Sequence, residues 1–300
     1  MTLTRRRFLL VTAAAAAATT IPARRELWEW RGSALGGEAS IVLEGARDAA
    51  QAVLAEVAAE IDRLENIFSL HRPASQLARL NRDGALAAPA RDLTGALRLA
   101  ARWRAATEGA FDPAVQPHWT AAVAGAPARP ELVREARIRV EPGRVTLSPG
   151  AALTLNGIAQ GLIADRIAAL LARRGFAAPR IDTGEMRLPG RERHRLRLAD
   201  AGLALEVADC AVATSAPDAL RLPGARHHLF DPATGRSPGH WRAVTVIAAT
   251  AADADALSTA FAVSTAERIG DLVPPDTLVL ATDRAGRTLR FGRSSQVAPA

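Results

Sequence analysis

Residues 252–263 read ADADALSTAFAV, an acidic start that turns apolar. Asp255 and Thr259 are four apart, so on a helix they share one face. A carboxylate and a hydroxyl so spaced suit a hard cation such as Mg²⁺, which takes oxygen ligands and accepts phosphate as another. The same residues have an ordinary reading: Asp253 caps the helix, Asp255 favours its positive end and Thr259 bonds back to the main chain. Spacing alone leaves both open. A second dense stretch, HHLFDPATGRSPG at 227–239, holds His228 close to Asp231, with Thr234 and Gly235 after it. His228 and Asp231 could meet across the turn as a catalytic pair. Equally, Asp231 could bond the backbone two residues on and simply build a turn. A third, LTLNGIAQGLIAD at 153–165, runs an apolar alternation into Asn156-Gly157 and then a helical pattern with Gly161 in its first turns. Gly inside a helix costs about 1 kcal/mol relative to Ala. Gly161 therefore implies that something approaches the backbone closely.

Helical spacing places Val53, Val57, Ile61, Leu64 and Phe68 on one face of a helix over 47–68. Ser75 then opens a short helix that Gly84 stops, and a further helix covers about 93–107, ending at Gly109. GAFDPAVQPHW (109–119) reads as a loop with two prolines, and the Ala- and Pro-rich 120–142 as a surface excursion. Strands are expected at 38–43, 144–147, 152–155, 179–183, 195–198, 203–205, 243–249, 277–282 and 288–292, with a last helix at about 253–265. Meandering strands with helices between some of them imply an α+β fold, a single large domain over 30–293.

The sequence contains no lysine, which excludes a Walker-type phosphate loop, a Schiff-base enzyme and a Ser–Lys dyad. Cys210 is the only cysteine, so there is no intrachain disulfide, and its apolar neighbours place it in the core. No HExxH or HxH occurs to suggest zinc. The formal charge of +7 is partly N-terminal, and no basic run is interleaved with aromatics, so no nucleic-acid partner is expected. Residues 1–23 carry Arg5-Arg6-Arg7-Phe8-Leu9 and then an alanine-rich apolar run, the pattern of a twin-arginine signal peptide. That run is about 14 residues, short of the roughly 20 that span a bilayer. Export to the periplasm is expected, with retention at the inner membrane as the alternative if the leader stays on.

Taken in order, FSLHRPASQLARLN, GAFDPAVQPHW, LNGIAQG…D, DTGE, ATSA, HxxDPATG and ADALSTA resemble one family, the ApbE family of FAD:protein FMN transferases. The resemblance spans roughly residues 30–268. It implies an ApbE-like, T-fold-type architecture of mixed, largely antiparallel sheets with packed helices. It also implies FAD as substrate, Mg²⁺ as cofactor and an acceptor flavoprotein as partner. By the same resemblance the carbonyl of Gly157 and the side chains of Asp255 and Thr259 hold the metal. Leu35, His71, Ala110, Phe111, Asp112, Thr154, Gln160 and Leu229 contact the flavin substrate, and His228 and Asp231 lie beside the diphosphate.

The chain departs from the family pattern in places. Gln160 stands where Lys is common, His71 where Tyr is usual, and Leu35 where Met is usual. ATSG has become Ala213-Thr214-Ser215-Ala216, and DxGG has become Asp182-Thr183-Gly184-Glu185. Such departures resemble exported members that serve respiratory membrane flavoproteins, including the nitrous-oxide-reductase accessory proteins. The implied reaction transfers FMN from FAD to a Thr or Ser of the partner, releasing AMP. Rival readings are an FAD pyrophosphatase, a periplasmic flavin carrier without turnover, and a generic anion-binding module.

Overall fold

The computed structural model describes residues 11–13, 26–178, 180–224 and 226–298. In chain order it has β1 (Val11–Ala13), β2 (Leu27–Ala34), β3 (Gly37–Glu44), α1 (Arg47–Phe68), α2 (Gln76–Asp83), β4 (Ala85–Ala87) and α3 (Arg91–Ala106). A 3₁₀ turn at Pro113–Val115 leads into α4 (Gln116–Val123), then α5 (Pro130–Arg134), β5 (Ile138–Glu141), β6 (Arg144–Leu147) and α6 (Ala159–Arg173). The second half holds β7 (Arg180–Asp182), β8 (Met186–Leu188), β9 (His194–Leu198), β10 (Leu203–Val207) and β11 (Cys210–Ser215). After it come β12 (Arg221–Leu222), β13 (Arg226–His227), β14 (Trp241–Ala248), α7 (Ala251–Ala262), α8 (Ala266–Leu272), β15 (Leu278–Asp283) and β16 (Thr288–Gly292).

An eight-stranded sheet in the order β16-β15-β14-β11-β8-β7-β3-β2 organises the chain. Every pairing among the described strands is antiparallel. The sheet is buried on both faces, and its period of two sorts residues between two cores. Ala211, Ala213, Val244, Val246, Val279 and Ala281 face the helices. Cys210, Val212, Ile247, Leu278 and Leu280 face the β9–β10 hairpin. Cys210 is thus a core residue, and burial pushes its thiol pKa up to about 12. β1 pairs with the edge of β9, Val11 opposite Leu196. Apart from those three residues the expected leader lies outside the described residues.

Local physics accounts for the expected helices. All five apolar positions of the 47–68 pattern are buried. Ser75 Oγ accepts from Ala78 N at 3.0 Å to start α2, and Gly84 ends it in the left-handed conformation. Several expectations need correction. The 109–119 stretch is not all loop: Asp112 caps the 3₁₀ turn, and Pro117 sits in the first turn of α4, where its missing N–H is harmless. The 120–142 stretch is no free excursion, since Ala122 and Val133 are buried on α4 and α5. Residues 152–155 form no strand, because their main chain is bonded elsewhere. Asn81 takes both the N–H and the C=O of Leu153 at 2.8 Å, and Thr154 N donates to Pro113 O at 2.8 Å.

Asp253 is not the cap of the last long helix. Thr250 is, accepting from Asp253 N at 3.1 Å. The helix ends at Ala262, and a separate α8 follows. α7 is apolar on nearly all sides and runs buried through the centre, as such a helix must.

Candidate active site

The loop after α3, the segment before α6, the N-terminal turns of α6 and α7, and the strand ends of the large sheet enclose one cavity. It has a volume of about 250 Å³, close to the lower end of the 300–1,000 Å³ typical of small-molecule sites. Ten of the expected site residues line it: Ala110, Phe111, Asp112, Thr154, Gly157, Gln160, His228, Leu229, Asp255 and Thr259. Residues that are up to 149 positions apart in sequence therefore meet at one site.

α6 and α7 approach each other closely beside the cavity. A β-carbon on Gly161 would collide with the Ala251 carbonyl and lie 2.6 Å from Ala252 N. The opening helix turn of α7, not a ligand, is what approaches the backbone there. At Gly157 a β-carbon would stand 2.8 Å from Thr259 Oγ1, so the glycine backbone and the Thr259 hydroxyl share a small space. Asp255, 3 % exposed, accepts from Gly161 N at 3.2 Å, which puts a carboxylate at the positive end of α6. Ser215 Oγ and Ser258 Oγ are 2.9 Å apart, joining the ATSA segment to α7.

Asp112 is buried, bonded by Arg104 Nε at 2.6 Å and by Ala114 N at 2.9 Å, which shapes the loop that carries Phe111. The Gln160 amide packs over the Gly37 and Gly184 backbones, and the Gln160 carbonyl accepts from Thr183 Oγ1 at 2.8 Å. Asp182 is raised above the ordinary aspartate pKa by burial, against the Gly184 N–H and Arg180 that pull it down.

Three expected residues stand outside the cavity. Asp231 builds the turn instead: Oδ1 accepts from Ala233 N at 2.9 Å and Oδ2 from Thr234 Oγ1 at 2.7 Å. His228 Nδ1 lies 3.3 Å from Leu220 O. His71 is exposed just past the end of α1. Leu35 sits in the β2–β3 turn with its N–H bonded to Glu65 Oε1 at 2.6 Å, and its side chain packs on the main core.

The cavity lining also contains groups with no role assigned from sequence: the aromatic Trp119 and Phe230, and the acidic Glu38, Asp182 and Glu185. Glu185 Oε2 accepts from Thr214 N at 3.2 Å. Trp119 and the DTGE residues lay in quoted motifs, so the signal for them was adjacency. Glu38 carried none.

The described lining contains five carboxylates, Glu38, Asp112, Asp182, Glu185 and Asp255, and no arginine. Among the described residues, no arginine lines this cavity, although the chain carries a formal charge of +7. Oxygen donors of this kind suit a hard divalent ion. No group of three or more His, Cys, Asp or Glu side chains among the described residues is arranged to hold a metal unaided. The fit is that of a site with one buried carboxylate, one hydroxyl and a backbone carbonyl, completed by ligand oxygens.

A model of the ApbE family matches residues 35–279. The chain belongs to the ApbE family. Among solved structures it is similar to the flavin transferase ApbE from Vibrio cholerae, at 22% identity over 90% of this chain and 98% of that one, with a TM-score of 0.71. It is similar to the apo Pseudomonas stutzeri flavinyl transferase ApbE at 20% identity over 89% and 95%, TM-score 0.74. The ApbE protein of Thermotoga maritima matches at 22% identity over 89% and 97%, TM-score 0.76. At these identities the likeness speaks for the fold. No curated protein sequence matches the chain.

Proposed function

We propose that this ApbE-family chain is an exported, Mg²⁺-dependent FAD:protein FMN transferase. The observation that carries the reading is the convergence of Gly157, Asp255 and Thr259 at a cavity whose described lining holds five carboxylates, the aromatic side chains Phe111, Trp119 and Phe230, and no arginine. A diphosphate dianion settles among carboxylates only when a divalent cation intervenes. An isoalloxazine or adenine ring suits Phe111, Trp119 and Phe230.

In the proposed reaction an acceptor Thr or Ser hydroxyl attacks the FMN phosphorus. The bond from that phosphorus to the bridging oxygen breaks, AMP leaves, and the hydroxyl proton passes to a base. Bound Mg²⁺ would neutralise diphosphate charge, held by Asp255, Thr259 and the Gly157 carbonyl. Phosphoryl transfer leaves positioning and electrostatics as the protein's work. Phe111, Trp119 and Phe230 would orient FAD, and Gln160 and His228 would offer hydrogen bonds to the phosphates. Asp255 has two available tasks, ligand and proton acceptor.

Purified chain, FAD, Mg²⁺ and an acceptor flavoprotein domain should yield covalent flavin fluorescence on a denaturing gel. FMN and AMP with an unlabelled acceptor would instead mark a pyrophosphatase, and no turnover a carrier. The acceptor fits a periplasmic or membrane respiratory subunit, given the Arg5-Arg6 leader. Exchanging both arginines for Lys should hold the protein in the cytoplasm, checked by fractionation. No described helix is long and apolar enough to cross a membrane.

A further inference from the structure

α6 and α7 meet with their N-terminal ends together, an arrangement in which two positive dipole ends face each other. Each end is closed by a carboxylate from the other helix. Asp255 of α7 accepts from Gly161 N in the first turn of α6. Asp165 of α6 accepts from α7 in return: Oδ1 takes Ala251 N at 2.9 Å and Oδ2 takes Ala252 N at 3.0 Å. The Thr250 hydroxyl takes the next free donor, Asp253 N. The opening donors of α7 are thereby satisfied, two of them from outside its own strand of chain. Gly161 lies one turn before Asp165 and lets the two backbones touch.

We propose that Asp165 is a positioning residue for the site. With Asp255 it forms a reciprocal pair of helix caps that sets the spacing between Gly157 on one helix entry and the Asp255/Thr259 pair on the other. What is positioned rests on the functional reading above; the capping itself does not. Asp165 does not line the cavity, so its effect on the site runs through α7. Arg187 Nε, 4.0 Å from Asp165 Oδ1, faces the same carboxylate from β8.

Asp165→Asn separates this from general helix stability. The amide keeps the shape but turns one acceptor into a donor facing an N–H, and it removes the charge. Thr250→Val is the comparison: it weakens the same helix start without touching α6. Hydrogen exchange should show Asp165→Asn deprotecting both the 251–252 and the 159–162 amides, whereas Thr250→Val deprotects only the α7 start. Mn²⁺ binding in the presence of FAD, followed by its spin resonance, should weaken about 10- to 100-fold in Asp165→Asn, the usual scale for a residue that orients a ligand. It should change little in Thr250→Val. Saturating Mg²⁺ should restore most of the transfer rate to Asp165→Asn. Unchanged 159–162 protection in Asp165→Asn, or equal Mn²⁺ weakening in both variants, overturns the proposal. A wild-type chain that binds no Mn²⁺ with FAD would sink the metal reading instead, and the exchange result would still decide the reciprocal capping.

Discussion

The α6–α7 junction and the 227–236 turn are built from the same kinds of residue and use them oppositely. At the junction, Asp255 and Thr259 line the cavity, and the polar neighbours Asp165 and Thr250 close the helix ends behind them. In the turn, Asp231 and Thr234 are spent on each other and on the main chain, Asp231 N donating to Arg236 O at 2.8 Å and Gly235 N to Asp231 O at 2.8 Å. Only His228, Leu229, Phe230 and Pro232 of that stretch reach the cavity. A dense polar motif therefore carries two kinds of information, what a site needs and what a tight turn needs. Side-chain direction decides between them.

The sharpest break of this contrast is Asp255→Asn. It removes the buried carboxylate of the junction, and transfer should fall on the order of 10³-fold, the scale of losing a charge-neutralising group in phosphoryl transfer. Melting should fall only modestly, because the Asn amide oxygen can still accept from Gly161 N while the charge at the α6 start is lost. A variant that flavinylates its acceptor at the wild-type rate, measured by covalent fluorescence, ends the metal assignment. Gly161→Ala tests the packing of the junction. In a free helix the change stabilises, but here the new carbon meets the α7 backbone, so urea unfolding should show a loss of about 1–3 kcal/mol from overpacking.

Asp231→Ala examines the other region. Two hydrogen bonds in an exposed turn disappear, for a loss of about 1 kcal/mol, and the transfer rate should stay within a few-fold of wild type. A large rate loss without unfolding would return Asp231 to the chemistry. The smallest effect is in the pH dependence of stability. The folded-state pKa of Asp182 lies above its unfolded value, so the folded form holds its proton more tightly. Stability contributed by that proton is present at low pH and is lost as pH rises from the ordinary aspartate range through the raised value. Asp182→Asn should flatten the melting-temperature profile in that window and raise it above. An unchanged profile would mean that Asp182 titrates normally.

Much of the frame was legible in the sequence because its causes are local. The 47–68 helix follows from apolar spacing, and α2 from Ser75 and Gly84. Cys210 could be placed in the core from its neighbours alone. The 152–155 segment misled because its alternation is real while its hydrogen bonds go to Asn81, 72 positions away. Leu35 and His71 lie outside the described cavity lining, because a motif position says nothing about whether the chain around it turns toward the cavity.

Sequence by itself determined the family, the antiparallel α+β class, and the residue types of the site, since each follows from short-range pattern and order along the chain. Tertiary structure alone decided which of those residues converge. It placed Asp255 and Thr259 in the cavity lining and Asp231 outside it, added Glu185 and Trp119, and brought no arginine among the described residues into the lining. It also assigned Gly161 to helix packing rather than to a ligand. The reason is that convergence depends on contacts between distant segments, where a carboxylate on α6 meets an N–H on α7 86 positions later, and no local propensity encodes that meeting.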